Sequence, residues 1–285
     1  MTSDEQLHEE CSTFDLRRHG VVVALALVLA TACAQALQDR HASTRLTPHE
    51  LCTLLVRRAQ TAGAPPQQAP LPIYETRQVH DPDGTGKFYM GREIAQTMGP
   101  GGIPWLDRPQ REAEEHPEVV IDALGLREGE VVADLGAGSG FFTFRISPKV
   151  GKTGKVLAVD IQGAMLETIR RRAEALKLTN VEEIEDTETD PELPANGVDL
   201  VLMVDVYHEI SYPYEVMTKV RESLKPDGRV VFVEYRKEDP KVPIKEVHKM
   251  SVDQLDKEMA VVHLKRVWTV EALPLQHIVI FEKSE

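Results

Sequence analysis

From about residue 117 onward, apolar and polar positions follow two alternating rhythms. Short, nearly continuous apolar runs, Glu130–Leu135, Lys155–Asp160, Val198–Val204 and Arg229–Glu234, read as strands buried on both faces. Before, between and after them lie stretches with a helical period. Val119–Leu126 is one, closed by the Arg127-Glu128-Gly129 turn. Ala164–Leu178 carries Leu166, Ile169 and Ala173 on one side and arginines on the other. Tyr212–Leu224 aligns Val216, Val220 and Leu224, and Ser251–Val262 starts at an N-cap candidate, Ser251. Two last strands are expected near Val267–Ala272 and His277–Glu282, joined only by Leu273-Pro-Leu-Gln276. Strands alternating with helices predict an α/β fold, a mostly parallel sheet covered on both faces. The short final link cannot make a crossover, so the last strand is expected to run antiparallel.

The pattern before residue 117 is different. Residues 1–16 are polar and acidic; Arg17-Arg18-His19 then lead into an unbroken apolar run, Gly20–Ala36. That arrangement predicts a signal peptide or membrane anchor over residues 1–36, with Ala34-Gln35-Ala36 as a cleavage pattern. Leu29-Ala-Thr-Ala-Cys33 loosely resembles a lipoprotein box, and a buried or amphipathic helix is the alternative. Basic residues ahead of the run favour a cytoplasmic N-terminus and an exported or membrane-anchored domain, with a cytoplasmic catalytic domain left open. Residues 37–74 read as a flexible Pro-rich linker with a short helical stretch at 48–60. Residues 75–117 are expected to cap a catalytic domain at 118–285.

Charge and cysteine content narrow the function. A formal net charge of −13 disfavours a protein built to grip nucleic acid. The three cysteines, Cys11, Cys33 and Cys52, form no CxxC pair and the histidines are scattered, so no metal site is expected.

The chemistry concentrates in Val131-Val-Ala-Asp134-Leu-Gly136-Ala137-Gly138-Ser-Gly140-Phe141. A strand delivers the chain to a tight turn, where glycines let a ligand lie against backbone. The helix that follows aims its first amides at the same place, which suits a carboxylate. Asp134 is placed to meet an ammonium. A nicotinamide fingerprint needs its third glycine at position 141, where Phe141 stands, and this speaks against a dinucleotide oxidoreductase. Asp160 ends the next strand and is expected to accept both hydroxyls of a ribose, with Ile161 beside the base.

At these residues the chain resembles the Rossmann-like class I S-adenosylmethionine-dependent methyltransferases: the Asp134–Gly140 turn, the Ala158-Val-Asp160 strand end and the Val198–Ile210 segment carry the likeness. It covers about residues 118–285. It implies S-adenosylmethionine as cofactor and seven strands in the order 3-2-1-4-5-7-6, strand 7 antiparallel. The blocks Lys87–Ala95 and Trp105–Pro109 resemble a lead-in seen in uncharacterised bacterial members, implying a cap over the cofactor. The family's Gly-Asp near the adenine is replaced by Glu185-Asp186-Thr187-Glu188, which puts Thr187 or Glu188 at the expected place.

The acceptor side is expected after Val204. His208 is a candidate general base, because imidazole titrates near neutrality. It is similar to the histidine of plant small-molecule O-methyltransferases; a pocket-shaping role is the alternative. Asp205 is expected at the cofactor ammonium, at the acceptor or as a cap of the next turn. Tyr207, Tyr235, Arg236 and His248 are candidates for the acceptor pocket. The expected activity is methyl transfer to a small molecule, oxygen slightly ahead of carbon or nitrogen. The alternative is a tethered binding module that keeps the fold without the activity.

Overall fold

The computed structural model describes residues 74–284. The anchor segment, all three cysteines, the 48–60 helix and the linker up to residue 73 lie outside the described residues. Tyr74, expected at the end of the linker, is already in a strand.

Three strands come first: β1 (Tyr74–Thr76), β2 (Gly84–Tyr89) and β3 (Arg92–Ala95), an antiparallel sheet paired in chain order. The link from β2 to β3 is Met90-Gly91, both with positive φ, 49° and 100°, a two-residue hairpin turn of the kind that matches strand twist. The sequence reading assigned this region to a cap without strands; methionine in the left-handed position is no standard hairpin signal. Short helices α1 (Ile103–Leu106) and α2 (Arg111–Glu115) follow, then α3 (Pro117–Leu124), with proline in its first turn and Gly125 in the left-handed conformation at its end.

The main body runs β4 (Val131–Leu135), α4 (Thr143–Val150), β5 (Lys155–Asp160), α5 (Gly163–Leu176), β6 (Val181–Glu185), β7 (Val198–Val204), α6 (Pro213–Ser223), β8 (Leu224–Tyr235), α7 (Val252–Ala260), β9 (Leu264–Val270) and β10 (Gln276–Lys283). Its seven strands lie in the order β6-β5-β4-β7-β8-β10-β9. β10 is antiparallel to both neighbours, while the β6-β5-β4-β7-β8 pairs are parallel. This is the expected order with its one reversed strand. β6 went unread because Val181-Glu-Glu-Ile-Glu185 is an edge strand with three acids and no apolar run.

Alternate residues of the central strands face opposite layers. Ala133, Leu135, Leu157, Val159, Val201 and Met203 pack against Val216, Met217 and Val220 of α6 and Leu255 and Met259 of α7. Val132, Val156, Leu200, Leu202 and Val231 pack against Val120, Ile121 and Leu124 of α3 and Ile146 and Val150 of α4. Leu166 and Ile169 of α5 cover Ala137 and Ala158. Each such side chain contributes about 1.5–3 kcal/mol on burial, so the sheet is a stiff platform beneath the loops at its carboxyl edge. Ser251 does cap α7, its hydroxyl accepting from the Gln254 N–H at 3.2 Å.

A buried ion pair joins the small sheet to this platform. Arg92 of β3 donates to Glu258 of α7 at 2.7 and 3.1 Å, and the Tyr207 hydroxyl donates to the same carboxylate at 2.7 Å. Removing one partner of such a pair costs about 3–5 kcal/mol, because a charge is left buried alone. Among the described residues no helix is long and apolar enough to cross a membrane.

Candidate active site

A cavity of about 510 Å³ lies at the carboxyl ends of β4, β5 and β7, the edge where ligands collect in open α/β sheets. Gly136 sits in its wall at φ 74°, and a Cβ there would lie 2.5 Å from both methyls of Val206. Ala137, Gly138, Ser139 and Phe141 of the same turn also line the wall. Gly140 does not line the cavity: its missing Cβ makes room for the Phe144 ring, 2.5 Å from where that atom would be, so it seats α4 on the turn.

Asp160 reaches back to this turn. Its Oδ2 accepts from the Gly138 N–H and its Oδ1 from the Gln162 N–H, both at 2.9 Å. Burial outweighs those two bonds and raises its pKa. Ile161 beside it is 42% exposed, a large apolar side chain presented to the cavity. Asp134 is buried, accepts from the Thr143 hydroxyl at 2.6 Å, and is pushed up to about 6 by burial. Next along the wall comes Asp186, which sequence reasoning passed over for Thr187 and Glu188. Its Oδ1 is buried without a partner, and burial, with the charge of Asp160, pushes its carboxyl up to about 7. Strand register could have found it: Asp160 pairs with Glu185, so Asp186 is the first residue beyond the edge. Thr187 and Glu188 also line the cavity, but the Thr187 hydroxyl is engaged in a local turn with Asp190.

The lead-in segment forms another wall. Met98, Trp105, Leu106, Arg108, Arg111 and Glu115 all face the cavity. Asp107 pins the segment to the glycine turn, accepting from the Ser139 hydroxyl at 2.7 Å and from Arg172 at 3.2 Å.

Beyond β7 the cavity changes character. Asp205 holds a left-handed conformation, φ 53°, uncommon outside glycine. Its Oδ2 accepts from the Gln276 amide at 2.8 Å while Oδ1 is buried without a partner. Burial first, then the charges of Glu115 and Glu234, hold its carboxyl well above the usual range. His208 is buried, its Nδ1 2.6 Å from Glu234 Oε2, while Glu234 Oε1 accepts from the Tyr207 N–H at 2.9 Å. Burial alone lowers an imidazole pKa; here the adjacent Glu234 carboxylate outweighs it and His208 is raised. Its Nε2 lies 3.1 Å from His248 Nδ1, and His248 is lowered to about 4 by burial and the neighbouring His208. Arg92 also donates to the His208 carbonyl at 3.3 Å, so the small sheet steadies this turn.

Two expected acceptor-pocket residues are not in the wall. Tyr207 is fully buried with its hydroxyl on Glu258, because the short 3-10 turn at Tyr207–Glu209 points neighbouring side chains in divergent directions. Arg236 turns outward to Glu271 at 2.9 Å and the Leu273 carbonyl at 2.8 Å. Successive residues of an extended chain face opposite sides, so Tyr235 faces the cavity, its hydroxyl 3.3 Å from Glu115, and Arg236 cannot. His248 and Tyr235 are brought together with His208, and Glu209, unflagged by sequence, joins them.

Sheet order, reversed strand and glycine turn together define a Rossmann-like class I methyltransferase domain. Residues 126–276 match the family model described as a methyltransferase domain, and the chain belongs to that family. A SAM-dependent methyltransferase from Aquifex aeolicus has a similar solved structure, with 29% identity and a TM-score of 0.61 over 65% of this chain and 98% of that one. An uncharacterized 37.1 kDa protein in transposon TN4556 of Streptomyces fradiae is 25% identical over 82% of this chain and 66% of its own length. The ubiquinone/menaquinone biosynthesis C-methyltransferase UbiE of Salmonella arizonae is 30% identical over 118 residues, 41% of this chain. The match spans 47% of that relative's length.

Proposed function

We propose that the chain transfers a methyl group from S-adenosylmethionine to a small-molecule acceptor, with oxygen as the favoured nucleophile. The observation that carries this reading is one continuous cavity whose wall holds the glycine turn and Asp160 together with His208. Its volume of about 510 Å³ falls within the roughly 300–1,000 Å³ typical of small-molecule sites.

The residues present fit the cofactor. Asp186 offers a buried oxygen that has no partner, and Gly136 leaves a cradle that a Cβ would fill. Asp160 would hold the ribose through the lone pairs its two amide bonds leave free, and Ile161 would cover the adenine. Asp186 would sit nearest the adenine amino group, with Thr187 and Glu188 at the rim, and Asp134 and Asp205 would balance the ammonium. When bound, S-adenosylmethionine supplies a methyl group already carried by an excellent leaving group. The protein's share is then to orient the acceptor and exclude water, worth roughly 7–11 kcal/mol when the geometry is right. An oxygen acceptor must also lose a proton. With Glu234 accepting from the Nδ1–H of His208, Nε2 would be the atom that receives it, in exchange for its 3.1 Å contact with His248 Nδ1.

The test is to incubate the purified full chain with isotopically labelled S-adenosylmethionine and pools of hydroxylated small molecules, reading label by mass spectrometry. Labelled methyl ethers or esters are expected. The likeness to a C-methyltransferase makes carbon the second reading; label found only on carbon would overturn the oxygen assignment. The apolar run at residues 20–36 supports a further proposal, attachment of the domain to a membrane or its export. Fractionating cells that express the full chain tests this, and recovery of all uncleaved protein in the soluble cytoplasmic fraction would end it.

A further inference from the structure

We infer that the chain holds a divalent transition-metal ion, of the Zn²⁺ class, on His208 Nε2, Glu209 Oε1 and His248 Nδ1 at the acceptor end of the cavity. The three atoms form a triangle with sides of 3.1 Å between the two nitrogens, 3.9 Å from His208 to Glu209 and 3.6 Å from His248 to Glu209. The point equidistant from corners so spaced is about 2.1 Å from each, against bonds of about 2.0–2.2 Å from Zn²⁺ to imidazole nitrogen and carboxylate oxygen. These spacings let one ion reach all three donors with adjustments of only a few tenths of an ångström.

The groups behind the donors are arranged as metal ligands require. Ligating histidines usually give their other ring N–H to a carboxylate, which fixes the ring and raises its basicity; His208 meets Glu234 in this way at 2.6 Å. The second oxygen of Glu209 accepts from the Met98 N–H at 3.1 Å, so Oε1 is the one left to ligate. A hydrogen bond between the two imidazoles explains only one side of the triangle. Glu209 Oε1 lies beyond hydrogen-bond distance of both rings, yet it is turned toward them in a pocket where its side chain is only 12% exposed.

Two imidazoles and one carboxylate suit Zn²⁺ and its first-row neighbours, whereas Mg²⁺ and Ca²⁺ prefer all-oxygen sites. Among the described residues three protein ligands meet here and all three line the cavity, which leaves a coordination position facing it, the mark of a catalytic site. That position suits an acceptor hydroxyl, phenol or enol, whose proton a bound cation makes easier to remove. The inference deepens the methyl-transfer reading and rests on it only for what the open position takes. With an ion in place, the Nε2 of His208 holds the metal and the acceptor is activated by coordination.

The test uses the full chain, stripped with a chelator, and Zn²⁺ alone, read by calorimetry and elemental analysis. One ion per chain is expected at the site, with Kd below about 1 µM. His248→Ala and Glu209→Gln should each weaken that binding more than the roughly 10–100-fold expected of Glu234→Gln, which removes an outer partner. Circular dichroism shows which variants fold, and because His248 lies in a surface turn with 21% of its side chain exposed, it is the substitution most readily tolerated. Zn²⁺ binding that is absent, or equally tight in wild type and in the folded His248→Ala and Glu209→Gln chains, overturns the inference. S-adenosylmethionine titrated into the same metal-free chain separates the two readings: failure of Zn²⁺ with cofactor bound removes only the ion, and failure of the cofactor with Zn²⁺ bound removes only the methyl-transfer reading.

Discussion

At one end of the cavity the wall is main chain: a glycine turn, amides that grip Asp160, and acids at consecutive strand ends. At the other end it is side chains gathered from distant segments: His208, Glu209 and His248, with Glu234 buried behind His208, Met98 bonded to Glu209 and Arg92 to the His208 carbonyl. The first end is set by local backbone geometry and leaves little freedom in what it binds. The second depends on how separate loops meet, and each contact can change without disturbing the sheet. In the methyl-transfer reading proposed above, the cofactor would sit at the first and the acceptor at the second.

Breaking the main-chain end should have the largest effect on cofactor binding. Gly136→Val places side-chain atoms where Val206 already lies and forces a branched residue to φ 74°. Affinity for S-adenosylmethionine should fall by on the order of 10²-fold or more by calorimetry; retained affinity would show that the turn is not the cradle. His208→Ala should do the opposite, lowering turnover by ~10²–10⁴-fold while cofactor affinity stays as it was. Loss of both together would mean that the two ends are not separable.

The pH dependence sharpens the contrast further. Asp134 and Asp186 stand at about 6 and 7 in the free protein, above the ordinary 3.8. The cofactor's ammonium would favour ionised Asp134 and the donating adenine amino group ionised Asp186, so binding releases protons and affinity should rise as pH climbs through that window. The limit is about tenfold per pH unit for each group. Without cofactor the sign reverses for stability: between 3.8 and about 7 the native chain binds more protons at these groups than the unfolded chain, so their contribution falls as pH rises. The thermal shift on adding cofactor should therefore be larger at about pH 8 than at about pH 5.5. An equal shift at both would contradict the assignment of these acids to the cofactor. Smallest of all, Arg236→Ala should leave turnover unchanged and cost at most about 1 kcal/mol, since its partner Glu271 is exposed. A large loss of activity would return Arg236 to the acceptor pocket.

The same division governs what could be read from the chain. The strands other than β6, the reversed last strand and the glycine turn follow from local pattern, because continuous apolar runs and a strand-to-glycine junction are written in adjacent residues; the strand order came only from the family resemblance. Asp160 and Gly136 were legible for that reason. Asp186 was hidden behind an unread edge strand, where Val181-Glu-Glu-Ile-Glu185 gives no apolar run. Arg236 and Tyr207 were misplaced because proximity along the chain was taken for proximity in the pocket; strand alternation and a 3-10 turn separate each from its neighbour. The convergence of Glu234 and His248 on His208, of Met98 on Glu209 and of Glu115 on Tyr235 joins residues 26 to 120 positions apart, and no periodicity encodes such meetings.

The most direct measurement is a calorimetric titration of the full chain with S-adenosylmethionine, run beside the Gly136→Val variant. Saturable binding of one molecule per chain, lost in the variant, is the expected result. A folded wild-type chain that takes up no S-adenosylmethionine would contradict the account.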